Sequence, residues 1–375
     1  MKVKCKKNRR SYSKKQNVNN TNVSKQNSEA KNLAKPESHA VQKNEEELIL
    51  SIPIPIRKDI EAYLKRRIIG QDEYIRRLTV ALYRRFMYGI PTRVLIVGSS
   101  GCGKTETISQ LAEALGLPYT IEDATAYTEE GYVGNSVEDM VYNLLEKAEA
   151  ENTYKGIALG IIAIDEIDKK ASVAESGSLD VSGRAVQQGL LKMMDGKQIA
   201  ISFGKDMAYF DTKNLIFICM GAFEGLDKIR ADRLGKKRIG FKANEKSEQI
   251  LEYTEEDFVK YGMTKEFIGR FDCIIEVNKL EQSDLENIIR KSEISAFNSY
   301  KAICKKENIE LVYSDRFIHN LAKKASSLKI GARGIKNVSN YVFERILEEI
   351  MEKHSFTKCT LDDDIVDDNT KYVIE

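Results

Sequence analysis

Two short stretches of this chain hold residue types that could act together on a phosphate anhydride. The first is Gly98-Ser99-Ser100-Gly101-Cys102-Gly103-Lys104-Thr105, which follows the apolar run Val94–Val97 and precedes a helical pattern through Leu115. Glycines let backbone N–H groups wrap phosphate oxygens, and a helix N-terminus adds the positive end of its dipole. The lysine that is the seventh residue of such a loop reaches the terminal phosphates, and the threonine beside it offers a hydroxyl to Mg²⁺. The second stretch lies sixty residues on, where Ile161–Ile164 runs into Asp165-Glu166-Ile167-Asp168. An Asp at the end of an apolar strand can hold Mg²⁺ through its water shell, and the adjacent Glu can activate an attacking water. Alone, the acidic string could simply favour a helix dipole. Together with residues 98–105 it points to nucleotide hydrolysis rather than nucleotide binding alone.

These residues need a scaffold that brings two strand ends side by side. Strands are expected at 93–97, 119–122, 160–164, 214–219 and 273–277, with helical stretches between them. Most are continuous apolar runs without alternation, as expected of strands covered on both faces. The fold class is therefore α/β with a parallel sheet. Two helices are expected between residues 59 and 87. After residue 278 the pattern turns mainly helical, over 283–302, 315–326 and 335–353, with short strands at 359–361 and 372–374. We divide the chain into a basic, low-hydrophobicity tail at 1–46, an α/β domain at 47–278 and a smaller helical domain at 279–375.

Composition narrows the function classes. The 375 residues are 42% hydrophobic and 31% charged, with a net charge of only +2. Residues 1–28 carry nine Lys/Arg and no acid, so the body is net acidic by seven. That argues against a dedicated nucleic-acid binder, which would carry a basic folded face. The tail is expected to be a solvated segment, because it holds too few apolar groups to offset ordering. The six cysteines form no CxxC pair, so neither a zinc site nor a disulfide framework is expected, and a reducing, cytoplasmic setting is. The longest apolar run, 156–164, is nine residues and too short to span a membrane. There is no GxSxG or HExxH, so no peptidase activity of its own is expected.

From about residue 53 onward the chain resembles the ClpX family, AAA+ ATPases that unfold proteins for the ClpP peptidase. The resemblance rests on strings in the right order: Ile68-Ile69-Gly70-Gln71, the 98–105 loop, Gly131-Tyr132-Val133-Gly134, Asp165-Glu166, the 180–188 segment, Glu266-Phe267-Ile268-Gly269-Arg270 and Gly331-Ala332-Arg333-Gly334. It implies ATP and Mg²⁺ as cofactors, with Ile68 and Ile69 against the adenine. It also implies a homohexamer, in which Arg270 reaches a neighbour's nucleotide as an arginine finger and Arg333 acts as sensor 2. Guanidinium suits both roles because it stays protonated and forks onto phosphate oxygens. Gly131–Gly134 would be a substrate-gripping pore loop, its aromatic tip able to grip any unfolded or tagged polypeptide. Ile239-Gly240-Phe241, an apolar tip in a charged stretch from 228 to 246 with little regular pattern, would dock the peptidase.

Several features depart from that family. No zinc-binding N-terminal domain is apparent, since only Cys5 lies before the motor. Residues 199–211 form a short loop with Lys205 as its only base. Arg184-Ala185 stands where Glu-Gly is usual, and Met220 where Gly is usual, so no sensor-1 residue is assigned. The rival readings are HslU, which would carry a large insertion that the 168–180 gap does not hold, a stand-alone remodelling chaperone, and a nucleic-acid-linked motor. The aromatic pore loop and acidic body count against the last.

Overall fold

The computed structural model describes residues 54–128, 135–151, 157, 159–172, 181–203, 206–236, 252–352 and 356–375. Two helices open it, α1 (Arg57–Arg67) and α2 (Asp72–Tyr88), followed by β1 (Arg93–Val97), α3 (Lys104–Leu115), β2 (Tyr119–Asp123), α4 (Asp139–Ala150) and β3 (Ile161–Asp165). Next come α5 (Val181–Met194), the hairpin β4 (Gln198–Phe203) and β5 (Asp206–Asp211), β6 (Ile216–Gly221), α6 (Leu226–Lys236), α7 (Glu255–Tyr261), α8 (Lys265–Ile268) and β7 (Cys273–Glu276). The C-terminal part holds α9 (Gln282–Lys291), α10 (Ala296–Lys306), β8 (Glu310–Val312), α11 (Asp315–Ser327), α12 (Arg333–Met351), β9 (Lys358–Leu361) and β10 (Tyr372–Ile374).

The main sheet has the order β2-β3-β6-β1-β7, and every neighbouring pair is parallel. Its central strands explain the unbroken apolar runs. Val94 and Ile96 of β1 pack with Ile161, Ala163, Ile216 and Ile218 on one face, under α1, α2 and α3. Leu95, Ile162, Ile164, Phe217 and Cys219 pack on the other, with residues of α4 and α5. Both pleat faces are buried, so period-two alternation has no reason to exist. Met220 is fully buried and pairs in register with Ile96, so it fills the core at the position where glycine is usual in the family that the sequence resembles. A separate core closes the C-terminal part, where Phe297, Phe317 and Phe343 meet among α10, α11 and α12.

Four expectations change. Residues 199–211, expected as a loop, form the antiparallel hairpin β4–β5, with Ile199 paired to Phe210. The 228–246 stretch, expected to be irregular, begins inside helix α6, which continues to Lys236. That helix has little amphipathic stripe because its polar residues work in pairs. Arg230 bridges to Asp227 and Glu276, and Arg233 to Asp257. The single helix expected over 283–302 is two, broken at 292–295, where the Ser292 and Ser295 main chains turn. The strand β8, which pairs with β9, went unforeseen because three residues carry too little pattern.

Candidate active site

β1 and β3 lie in one sheet with β6 between them, and both end at its carboxyl edge, where open α/β sheets bind ligands. β1 runs directly into the loop 98–103, and α3 starts at Lys104, fully behind a left-handed Gly103 with φ 93°. The Lys104 ammonium is tucked into the loop, donating to the carbonyls of Gly98 at 2.6 Å and Ser99 at 3.1 Å. Cys102 is buried, its thiol 2.9 Å from the Ser99 carbonyl, and burial pushes that thiol above its ordinary pKa. It therefore stays a neutral packing group rather than a nucleophile.

The hydroxyl of Thr105 donates to Asp165 Oδ2 at 2.8 Å, which joins the two strand ends. Asp165 Oδ1 accepts from the Glu166 backbone N–H at 2.9 Å. Glu166 itself sits in the left-handed region, φ 57° and ψ 31°, a costly place for a residue with a Cβ. The chain thus leaves the strand direction at Glu166 and enters the short 3₁₀ turn Ile167–Lys170. Asp168 is nearly buried, and one of its carboxylate oxygens accepts from the Phe223 N–H at 3.3 Å.

A cleft of about 560 Å³ runs along these groups. Ser100 to Glu106, Asp165, Glu166 and Asp168 give it a polar lining. Ile68, Ile69, Leu280, Ile288, Ile294 and Ile335 give it an apolar one. The polar groups suit phosphates and the apolar ones a flat aromatic base. Arg333, the first residue of α12, lines the same cleft and donates to the Ser100 hydroxyl at 3.2 Å. The hard oxygen pair of Thr105 and Asp165 is the donor chemistry that Mg²⁺ takes when it also binds phosphate. Among the described residues, no group of three His, Cys, Asp or Glu side chains is placed to hold a metal ion unaided.

The structure thus brings Ile68, Ile69, Ser100, Gly101, Cys102, Gly103, Lys104, Thr105, Asp165, Glu166 and Arg333 to one cleft. Gly98 and Ser99 serve from behind as acceptors for Lys104. Arg270 is not among the lining residues, and its half-exposed guanidinium pairs with Asp195 at 2.8 Å. Gly131 to Gly134 and Ile239 to Phe241 lie outside the described residues. The arginine pairs of the first helices are mostly engaged within the molecule. Arg76 binds Glu73, Arg67 binds Glu293, and the nearly buried Arg85 binds the side chain of Asn214.

Two contacts went unread in the sequence. Gln71 is buried, and its amide donates to the carbonyls of Asn278 at 2.9 Å and Cys102 at 3.3 Å, while its oxygen accepts from the Asn278 N–H at 3.1 Å. It ties the phosphate-binding loop to the crossover between the sheet and the helical part. Its place beside the apolar pair at 68–69 was the only signal. The other contact is backbone to backbone, from the Ala332 N–H to the Gly101 carbonyl at 2.8 Å.

An α/β sheet with a phosphate-binding loop, an Asp-Glu strand end and a helical cap on the same cleft defines an AAA-type ATPase. Residues 91–274 match the AAA domain (Cdc48 subfamily), and residues 280–364 match the C-terminal D2-small domain of ClpB protein. The chain belongs to the ClpX family. It is 35% identical over 312 residues to the ATP-dependent Clp protease ATP-binding subunit ClpX of Treponema denticola, covering 76% of this chain and 75% of that one. It is 32% identical over 342 residues to ClpX 2 of Wolinella succinogenes, covering 86% and 84%. With ClpX 3 of Methylococcus capsulatus the identity is 31% over 353 residues, covering 84% and 81%.

Proposed function

We propose that this ATPase is a protein unfoldase that works as a homohexameric ring and delivers polypeptide to a ClpP-type peptidase in the cytoplasm. The observation that supports it most is the shared cleft, in which the sheet supplies Lys104, Thr105, Asp165 and Glu166 while the helical part supplies Arg333 and Ile335. A nucleotide held by both parts would change their relation when it is hydrolysed, and that is what a motor needs.

In this reading Lys104 leaves the Gly98 and Ser99 carbonyls to bind the terminal phosphates of ATP. Thr105 and Asp165 would hold Mg²⁺, which would supply positive charge to offset that of the phosphates. Glu166 takes the proton from the attacking water, and its left-handed backbone sets the carboxylate off the strand line toward the cleft. Arg333 steadies the phosphates from the helical side. Arg270, which is not among the residues lining its own cleft, serves the nucleotide of an adjacent subunit. Residues 131–134 grip substrate and residues 239–241 dock the peptidase, on the strength of their sequence.

The test is ATP-dependent loss of fluorescence from a tagged, folded fluorescent protein in the presence of a ClpP. ATP-dependent loss with peptide release supports the reading. ATP hydrolysis that responds to DNA but not to unfolded protein would overturn it.

A further inference from the structure

We propose that Ser295 is a nucleobase-recognition residue of the cleft, hydrogen-bonding the base of the bound nucleotide through its hydroxyl; this rests on reading the cleft as the ATP site. Ser295 lines the cleft together with Ile288, Ile294 and Ile335 of its apolar wall. It is 4% exposed, and its Oγ has no hydrogen-bond partner.

The local geometry removes the usual reasons for a serine there. Ser295 is the N-cap of α10, the position where a serine hydroxyl normally accepts from the first turn, yet its side chain makes no capping bond. Its main chain is fully engaged, with the N–H donating to Ser292 at 3.2 Å and the carbonyl accepting from Asn298 at 2.9 Å. The neighbouring hydroxyl of Ser292 is spent on the Arg67 carbonyl, and the Asn298 side chain on the Ser292 carbonyl at 2.6 Å. Only the Ser295 hydroxyl is left over.

A buried hydroxyl without a partner is unfavourable, so a native one calls for a bonding group from elsewhere. The apolar wall can enclose a base but cannot orient it, because dispersion has no direction. A hydroxyl can donate or accept, and a purine edge offers both ring nitrogens and an exocyclic group. Ser295 supplies a directional contact that the apolar side chains themselves do not.

The test titrates the full chain, as wild type and as Ser295→Ala and Ser295→Cys, with ADP, 2′-deoxy-ADP and inorganic tripolyphosphate. The last carries no base. Loss of one hydrogen bond should weaken ADP by about two- to tenfold in both variants. Binding of tripolyphosphate should stay within about twofold of wild type, because the phosphate end is untouched. Unchanged ADP affinity in both variants would overturn the inference, as would an equal weakening of ADP and tripolyphosphate, which would mark a structural role. A penalty that disappears with 2′-deoxy-ADP would move the contact to the ribose and overturn the base assignment. Wild type that binds neither ligand would instead sink the nucleotide reading of the cleft, and this inference with it.

Discussion

Gly101 and Gly331 meet backbone to backbone, and neither position has room for a side chain. A Cβ on Gly101 would lie 2.0 Å from the Ile330 carbonyl oxygen, and one on Gly331 would lie 2.5 Å from the Gly101 oxygen. Both have positive φ, 75° and 59°. The phosphate-binding loop and the start of α12 therefore touch through main chain, sealed by the Ala332 to Gly101 hydrogen bond. Gly331→Ala should push these elements apart, displacing Arg333 from Ser100. ATPase activity should fall at least about tenfold, one lost transition-state contact of more than 1.4 kcal/mol. Steady-state hydrolysis checks this, with circular dichroism to confirm folding. Hydrolysis within twofold of wild type would show that the close approach is incidental.

Arg270 has an intrachain partner in Asp195 but no place in its own cleft. Arg270→Ala should bind ATP normally and hydrolyse it about 10³-fold more slowly, the scale of a lost arginine finger. Mixed with wild type, it should depress activity more than dilution predicts. A strictly proportional titration curve would contradict a shared site.

Much of this was legible in the sequence for physical reasons that differ by element. The central strands β3, β6 and β1 are buried on both faces, so they stand out as apolar runs such as Ile216–Cys219, and the loop at 98–105 announces itself by its glycines. Boundaries and pairings were harder to read. The hairpin around Ile199 and Phe210 looks like a loop because its strands are short and β5 sets Tyr209 next to Phe210, which breaks the alternation that β4 shows. Helix α6 looks irregular because its arginines are held by ion pairs rather than by an apolar stripe. The Gly101–Gly331 contact joins residues 230 positions apart, and nothing local in either string records it. Nor does any pattern foretell the left-handed Glu166, whose N–H donates to the Asp165 carboxylate.

The ion pair of Arg233 with Asp257 is buried, with side-chain exposures of 8% and 0%. Burial alone would raise the Asp257 carboxyl, but bonds from Arg233 and Thr254 overcome it and hold the group below the usual range. A depressed carboxylate contributes stability above its unfolded pKa of about 3.9 and loses it as pH falls through the folded value. Asp257→Ala should cost about 3–5 kcal/mol at neutral pH, because it strands a buried guanidinium. Asp257→Asn should flatten the fall in stability below pH about 4. Urea unfolding between pH 7 and 3 checks both. Equal acid slopes in wild type and Asp257→Asn would refute the linkage.

Tyr132 and Phe241 are proposed to do separable jobs. Phe241→Ala should keep ATPase and unfolding activity but lose peptidase activation, since a docking aromatic contributes about 2 kcal/mol or more. Tyr132→Ala should keep docking and impair unfolding. Parallel assays of peptide and folded-protein degradation with a ClpP separate the two. Normal degradation of folded substrate by Phe241→Ala would end the docking assignment.

The most direct measurement is on Glu166→Gln, with ATP binding and hydrolysis recorded on one preparation. In the proposed mechanism Glu166 acts on water alone, while Lys104, Thr105 and Asp165 serve the phosphates and Mg²⁺. The account predicts an ATP affinity within about threefold of wild type and hydrolysis slower by about 10² to 10⁴, the range for loss of a general base. Hydrolysis at a near-normal rate would contradict it.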